Sequence, residues 1–340
     1  LDYRANFGTA LGLIEGSARF MSFFVPGHEF DEARNKLEAF RLFAYADREL
    51  GFPADGPEPL NRLLRRAMSL SNYQSIWALE GIAHHFAAAS LRKAPLCGML
   101  GASELPERAM VPLHAGMGTA LAESVFTRLG DQPSNATLGR AIEGFFENCR
   151  ANARAGWYDN AIEPMGLVVR TLYPRLLMQV SHVVGEIDRA AQRLYWHGAG
   201  RSLYFVPTNF ITFAGAHERA LRSAISEAPT LEDRANTVAG LVWAVALVNI
   251  RHPAVLKNLL RAAAPFRMRD AVINGVISAL MVWKHMIPGD TEFLPLYARY
   301  GGQEWNDQVV APSARAFRET FPDLCREDRV ASLFTYRDLL

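Results

Sequence analysis

Apolar residues recur every three to four positions along most of this chain, the period of a helix with one greasy face. Phe30, Ala33, Leu37, Phe40 and Ala44 form one stripe within 29–50, and Gly51 stands where a C-terminal cap is expected. The Pro-, Gly- and acid-rich run from Phe52 to Pro59 predicts a loop, after which Pro59 can open a helix carrying Leu60, Leu63, Leu64, Ala67 and Met68. Asn72 suits the N-cap of a helix reaching Ser90, with Ile76, Leu79, Ala83 and Phe86 on its stripe. Pro95 to Pro106 predicts a linker. Pro112 then starts a helix with Leu113, Met117, Leu121 and Val125, and Leu138, Ile142, Phe145 and Cys149 mark another.

The second half continues in the same manner. Pro174 opens one long helix with Leu177, Val180, Val184, Ile187, Ala191 and Leu194 on its apolar side and His182, Glu186, Arg189 and Arg193 opposite. Trp196 to Pro207, with its glycines followed by aromatic and β-branched residues, predicts an extended segment or a tight inter-helix crossing. Thr230 with Asp233 resembles a capping box for a helix through Asn249. Pro253 begins the next helix, and 269–285 carries Val272, Val276, Ile277 and Leu280. Short helical pieces follow near 293–300 and 313–321. No alternating runs joined by hairpin turns occur. The expected class is therefore all-α, a multi-helix bundle or αα-repeat protein with an internal duplication.

That duplication rests on two stretches offset by 84 residues. His114-Ala-Gly-Met-Gly-Thr-Ala-Leu parallels His197-Gly-Ala-Gly-Arg-Ser-Leu, with Gly116 matching Gly200 and the histidines one residue out of register. Further on, Arg150-Ala-Asn and Gly156 match Arg234-Ala-Asn and Gly240. Chance similarity in an alanine-rich chain is the plain alternative. The implied organisation is an N-terminal helical region over 1–105, repeat units over 106–195 and 196–288, and a helical tail over 289–340. Matched glycines would let helices approach closely or let a backbone amide reach a ligand.

Composition narrows the function. A chain of 340 residues with half of them apolar can bury a large core. Its 36 basic and 35 acidic residues offer no broad field for a phosphate backbone, so nucleic acid is not an expected partner. The longest apolar stretch, 238–250, is too short for a span of about 20 residues, so stable membrane insertion is not expected. Three scattered cysteines, Cys97, Cys149 and Cys325, form no CxxC pair; each reads as a small buried residue. Their odd number suits a reducing, cytoplasmic setting. No signal peptide is read, and a homo-oligomer is compatible with the sequence. Metal-binding HExxH, phosphate-loop, dinucleotide, nucleophile-elbow and Asp-Asp-x-x-Asp patterns are all missing, so no metal or cofactor is expected.

Several residues remain candidates for chemistry. His114 and His197 each stand beside glycine, and an imidazole there could hold or protonate a ligand, or simply bond a backbone carbonyl at a crossing. Glu80 and His84, four apart on a helix with Trp77 and Gly81 beside them, make an acid–base couple, a pair of metal ligands or a plain helix salt bridge; His85 must face elsewhere. Asp159 or Glu163 could supply the polar group of an otherwise apolar pocket. Trp157, Tyr158, Trp196 and Tyr204 are expected to line such a pocket beside Gly116 and Gly200, with Arg201 pairing a ligand carboxylate or phosphate, or tethering a helix.

Gly198-Ala-Gly-Arg-Ser-Leu-Tyr-Phe-Val206 resembles a signature of the family of unknown function 1702 (DUF1702), often found in bacterial gene clusters for enediynes and related polyketides. His114-Ala-Gly-Met-Gly and Phe43-Ala-Tyr45 resemble two further segments of that family, although Ala46-Asp47 stands where the family carries an acidic–glycine pair. The resemblance implies a tailoring or accessory role on a hydrophobic intermediate of natural-product biosynthesis, polyketide or isoprenoid-like. It supplies no reaction. Three readings follow: an enzyme using acid–base chemistry in an apolar helical cavity, a non-catalytic carrier of a hydrophobic ligand, or a helical interaction scaffold.

Overall fold

The computed structural model describes residues 27–52, 59–101, 104–130, 132–210, 215–293, 295–297, 299, 306–319 and 333–334. The loop expected between Phe52 and Pro59, Cys325 and much of the tail lie outside them. Fourteen helices serve for reference: α1 Gly27–Ala44, α2 Leu60–Met68, α3 Asn72–Leu91, α4 Met110–Leu129, α5 Asn135–Asn152, α6 Tyr158–Ile162, α7 Pro164–Leu172, α8 Leu177–Ile187, α9 Arg189–Phe205, α10 Ala216–Glu227, α11 Leu231–Val248, α12 Ala254–Ala263, α13 Arg269–Met286 and α14 Ala311–Glu319. Single turns occupy Ala46–Glu49 and Pro207–Phe210. No strand occurs among the described residues, so the all-α expectation holds.

One continuous core runs from Ala39 in α1 to Phe334. The helices pack in a succession: α1 on α3, α3 on α4, α4 on α6 and α7, α7 on α9, α9 on α11, and α11 on α13. Helix α11 is buried from Ala235 to Val248 and carries no polar side chain from Val238 onward, as a central helix must. Thr230 and Asp233 close the expected capping box at its start.

Three boundaries differ from those the pattern predicts: the helix expected over 29–50 ends at Ala44 ahead of the single turn at Ala46–Glu49, α4 begins at Met110 rather than Pro112, and the helix expected from Pro174 is interrupted. The long helix from Pro174 is divided at Asp188, whose carboxylate caps the amides of Ala190 and Ala191 and so restarts the chain as α9. The stretch from Trp196 takes the second of its two expected forms, a tight inter-helix crossing at its glycines: it completes α9, and the break falls only at Val206 and Pro207. Smaller corrections are that Ser71, not Asn72, caps α3, and that Cys97 is exposed whereas Cys149 is buried.

Those glycines sit where helix backbones touch. A methyl group at Gly116 would overlap the carbonyl oxygen of Glu80, one at Gly198 that of Glu163, and one at Gly240 that of His197. Only a residue without Cβ permits this approach. Gly116 and Gly200 thus join helices; neither presents an amide to a ligand, because each lies inside a helix whose amides are already bonded.

The paired stretches behave unequally. The first pair lies within α4 and α9, at comparable crossings. In the second pair, Arg150–Asn152 ends α5 and Gly156 occupies a left-handed turn at φ 84°, while Arg234 to Gly240 forms the first half of α11. The fold does not show an internal duplication.

Candidate functional site

A cleft of about 310 Å³ opens between α1, α3, α4, α7 and α9. Its rim is apolar and partly exposed, formed by Phe40, Phe43 and Tyr45 at the end of α1, Leu172 of α7 and Phe205 of α9. Its floor is buried and polar: Glu80 and His84 from α3, Thr119 from α4 and Arg201 from α9, beside Trp77. The Thr119 hydroxyl is satisfied by the Ala115 carbonyl. Glu123, half-buried on α4, stands at one wall with a carboxylate oxygen 2.9 Å from His84 Nε2.

Behind the floor lies a charged relay. Arg201 donates one guanidinium nitrogen to Glu80 Oε1 at 3.0 Å and the other to Glu163 Oε2 at 2.8 Å. Glu163 Oε1 accepts a hydrogen bond from Nδ1–H of His197 at 2.8 Å. The guanidinium also lies 5.1 Å from the Trp243 ring centre. The glycine contacts explain why these side chains meet: Glu80, Glu163 and His197 are the residues whose carbonyls receive Gly116, Gly198 and Gly240. Close backbones bring the polar side chains beside these crossings within hydrogen-bond reach.

Burial and pairing divide the two carboxyls. Burial works to raise both. At Glu163 the Arg201 guanidinium and the His197 hydrogen bond outweigh it, and its carboxyl is held below the usual carboxylate range. At Glu80 burial wins over Arg201, and the neighbouring Glu163 charge adds to it, so this carboxyl is pushed up. Burial lowers His197, more than Glu163 restores, leaving a neutral imidazole with its proton on Nδ1 at neutral pH. Arg201, flanked by both carboxylates, is held more firmly charged than usual despite burial. Glu80 is therefore a buried carboxyl at the cleft whose pKa is raised by its surroundings.

The structure brings Glu80, His84 and Arg201 together and separates the other expected residues from them. His114 is fully buried elsewhere: its Nδ1 donates to the Met110 carbonyl at 2.7 Å, its Nε2 accepts the Arg154 amide at 3.0 Å, and burial lowers its pKa to about 4. With both nitrogens bonded to backbone it has none left for a ligand. His197 stands behind Glu163, orienting it rather than facing the cleft. Arg201 is saturated by the protein's own carboxylates, so it does not await a ligand anion. The expected aromatic lining is also corrected. Trp157 stacks on His114, Tyr158 lies under the Arg150 guanidinium, Trp196 packs edge-on against Tyr195, and Tyr204 belongs to another polar cluster. Asp159 is half-buried on α6, outside the cleft wall.

Sequence reasoning missed Glu123, Thr119 and the rim of Phe40, Phe43, Tyr45 and Phe205. Glu123 is one of many carboxylates at a helical polar position, and only the packing of α4 on α3 gives it His84. Among the described residues no cluster of ligands suits a metal ion, and no helix is long and apolar enough to cross a membrane. Compared with protein-family models, curated proteins and solved structures, the chain finds no match. The resemblance to family 1702 therefore stands on its short strings alone.

Proposed function

We propose that this protein binds an apolar small molecule in the cleft and transfers a proton on it, with Glu80 as the acid–base group and the His84–Glu123 pair as a second one. The observation that carries the reading is the meeting of an apolar, aromatic rim with a buried floor on which a carboxyl of raised pKa is oriented by Arg201. Arg201 fixes one oxygen of Glu80, and the Arg201–Glu163–His197 chain holds Arg201 in turn. A ligand filling the cleft would displace water and strengthen its polar contacts with Glu80. His84 and Glu123, hydrogen-bonded at the wall, can accept or return the proton. A hydrophobic biosynthetic intermediate, as the family resemblance implies, is of the right character for such a rim.

Binding is tested with the neutral fluorescent probe N-phenyl-1-naphthylamine. The native chain should take up one probe, and Thr171→Trp, at the cleft mouth, should abolish uptake while leaving the circular-dichroism spectrum unchanged. Equal uptake by both would place the probe elsewhere and refute the cleft. For catalysis, a ligand extracted from the purified protein and identified by mass spectrometry should be converted by the native chain and only bound by Glu80→Gln. Conversion by neither would make the protein a carrier.

A further inference from the structure

The ionisable groups around the cleft are unbalanced, and the imbalance points to a ligand class. Two carboxyl groups, Glu80 and Glu163, share a single guanidinium, Arg201, and a third, Glu123, stands at the cleft wall against His84. His84 can add at most one positive charge, and it is already hydrogen-bonded to Glu123. Arg201 is shared between two acids, and the deeper one, Glu163, also holds His197. Of the two carboxyls that share Arg201, Glu80 is consequently the less compensated by the protein, and it is the one at the floor of the cleft. Among the described residues lining the cleft no other fixed positive charge occurs.

Resting on the cleft reading above, we infer that the ligand is an apolar amine: a hydrocarbon or aromatic body carrying a cationic nitrogen that sits against Glu80 and the His84–Glu123 pair. A carboxylate or phosphate ligand would meet like charge on two sides, a juxtaposition that disfavours binding strongly. A neutral alcohol would meet no repulsion but leave the surplus acid uncompensated. An ammonium group supplies the missing charge. The π-faces of Phe43 and Trp77, both in the cleft wall, tolerate a cation where aliphatic walls would not. The raised pKa of Glu80 agrees with this, since it records the cost of an under-compensated buried carboxylate.

The test is calorimetric titration of the full chain at pH 7 with octylamine, 1-octanol and octanoate, which differ in head group alone. Octylamine should bind at one site per chain about tenfold or more tighter than octanol, with octanoate weakest. Glu80→Gln should weaken octylamine by about tenfold and leave octanol within about twofold. Glu123→Gln, at a half-exposed position, should weaken octylamine in the same direction and serves if Glu80→Gln does not fold. Octanol or octanoate binding as tightly as octylamine would overturn the amine assignment and leave the cleft intact. Failure of all three, together with failure of N-phenyl-1-naphthylamine, would overturn the cleft as well.

Discussion

Two buried polar clusters lie one turn apart along α9, one built on Arg201 and the other on Tyr204, and they have opposite surroundings. The Arg201 cluster borders the cleft. In the other, the Tyr204 hydroxyl donates to Glu32 at 2.9 Å and accepts from Asn249 at 2.8 Å, while His217 reaches the same Glu32 oxygen at 2.8 Å. Lys36 lies 3.7 Å from the Tyr204 ring centre and donates to the Asn209 carbonyl at 3.0 Å. None of these residues lines the cleft. Both clusters bury charge and both shift pKa values. What distinguishes a site from a fastening is the open volume beside the charge, together with one acid that its neighbours do not fully compensate.

The largest test of the contrast is Arg201→Ala. It strands Glu80 and Glu163 in the interior and should cost about 3–5 kcal/mol, read as a lowered denaturant midpoint in urea unfolding. Gly116→Ala follows. Its methyl would overlap the Glu80 carbonyl, and forcing α3 from α4 should cost about 1–3 kcal/mol. Gly144→Ala, at a helical position with nothing within 4 Å, should instead stabilise by about 0.5–1 kcal/mol. Equal effects of the two would show that α3 and α4 do not approach as described.

Lys36→Met probes the fastening and should cost less than Arg201→Ala, because Glu32 keeps Tyr204 and His217. Its signature lies in pH. Burial lowers the Lys36 pKa from an ordinary 10.5 to about 8, against the pull of Glu32. Between those values the unfolded chain holds a proton that the folded chain has released. The native protein should therefore gain stability relative to Lys36→Met as pH rises from about 8 to about 10.5, and show no relative change below that window. Unfolding of both proteins across pH measures the difference. Probe binding should be indifferent to the substitution. Smallest in stability is Glu80→Gln: the amide still accepts from Arg201, so unfolding should shift by about 1 kcal/mol or less while proton transfer is lost.

The helical character was readable throughout, because stripes such as Leu63, Leu64 and Ala67 leave no other period. Boundaries were readable where capping chemistry was explicit, as at Thr230 and Asp233. They failed at Asp188, whose capping role is masked by apolar residues continuing in phase on both sides. At Gly198 and Gly200 the sequence left an extended segment and a helix crossing both open, because a glycine gives the same signal in each; the structure shows the crossing. Of the site, Glu80 with His84 was legible from its i,i+4 spacing beside Trp77, and Glu163 only as one of two acids, with Asp159, that could serve an apolar pocket. Of the two roles open to Arg201, a ligand anion's partner or a tether between helices, the structure shows the tether; a sequence shows its charge and not the two carboxylates that fold onto it. His114 and His197 looked alike in sequence, and only the backbone groups around His114 reveal that its imidazole is already bonded at both nitrogens.

The most direct test of the account is a crystal structure of the chain grown with octylamine. The account predicts the alkyl chain between Phe43, Trp77 and Phe205, with the nitrogen within hydrogen-bond distance of a Glu80 oxygen. Electron density for the amine at the protein surface, with the cleft closed by its own side chains, would contradict it.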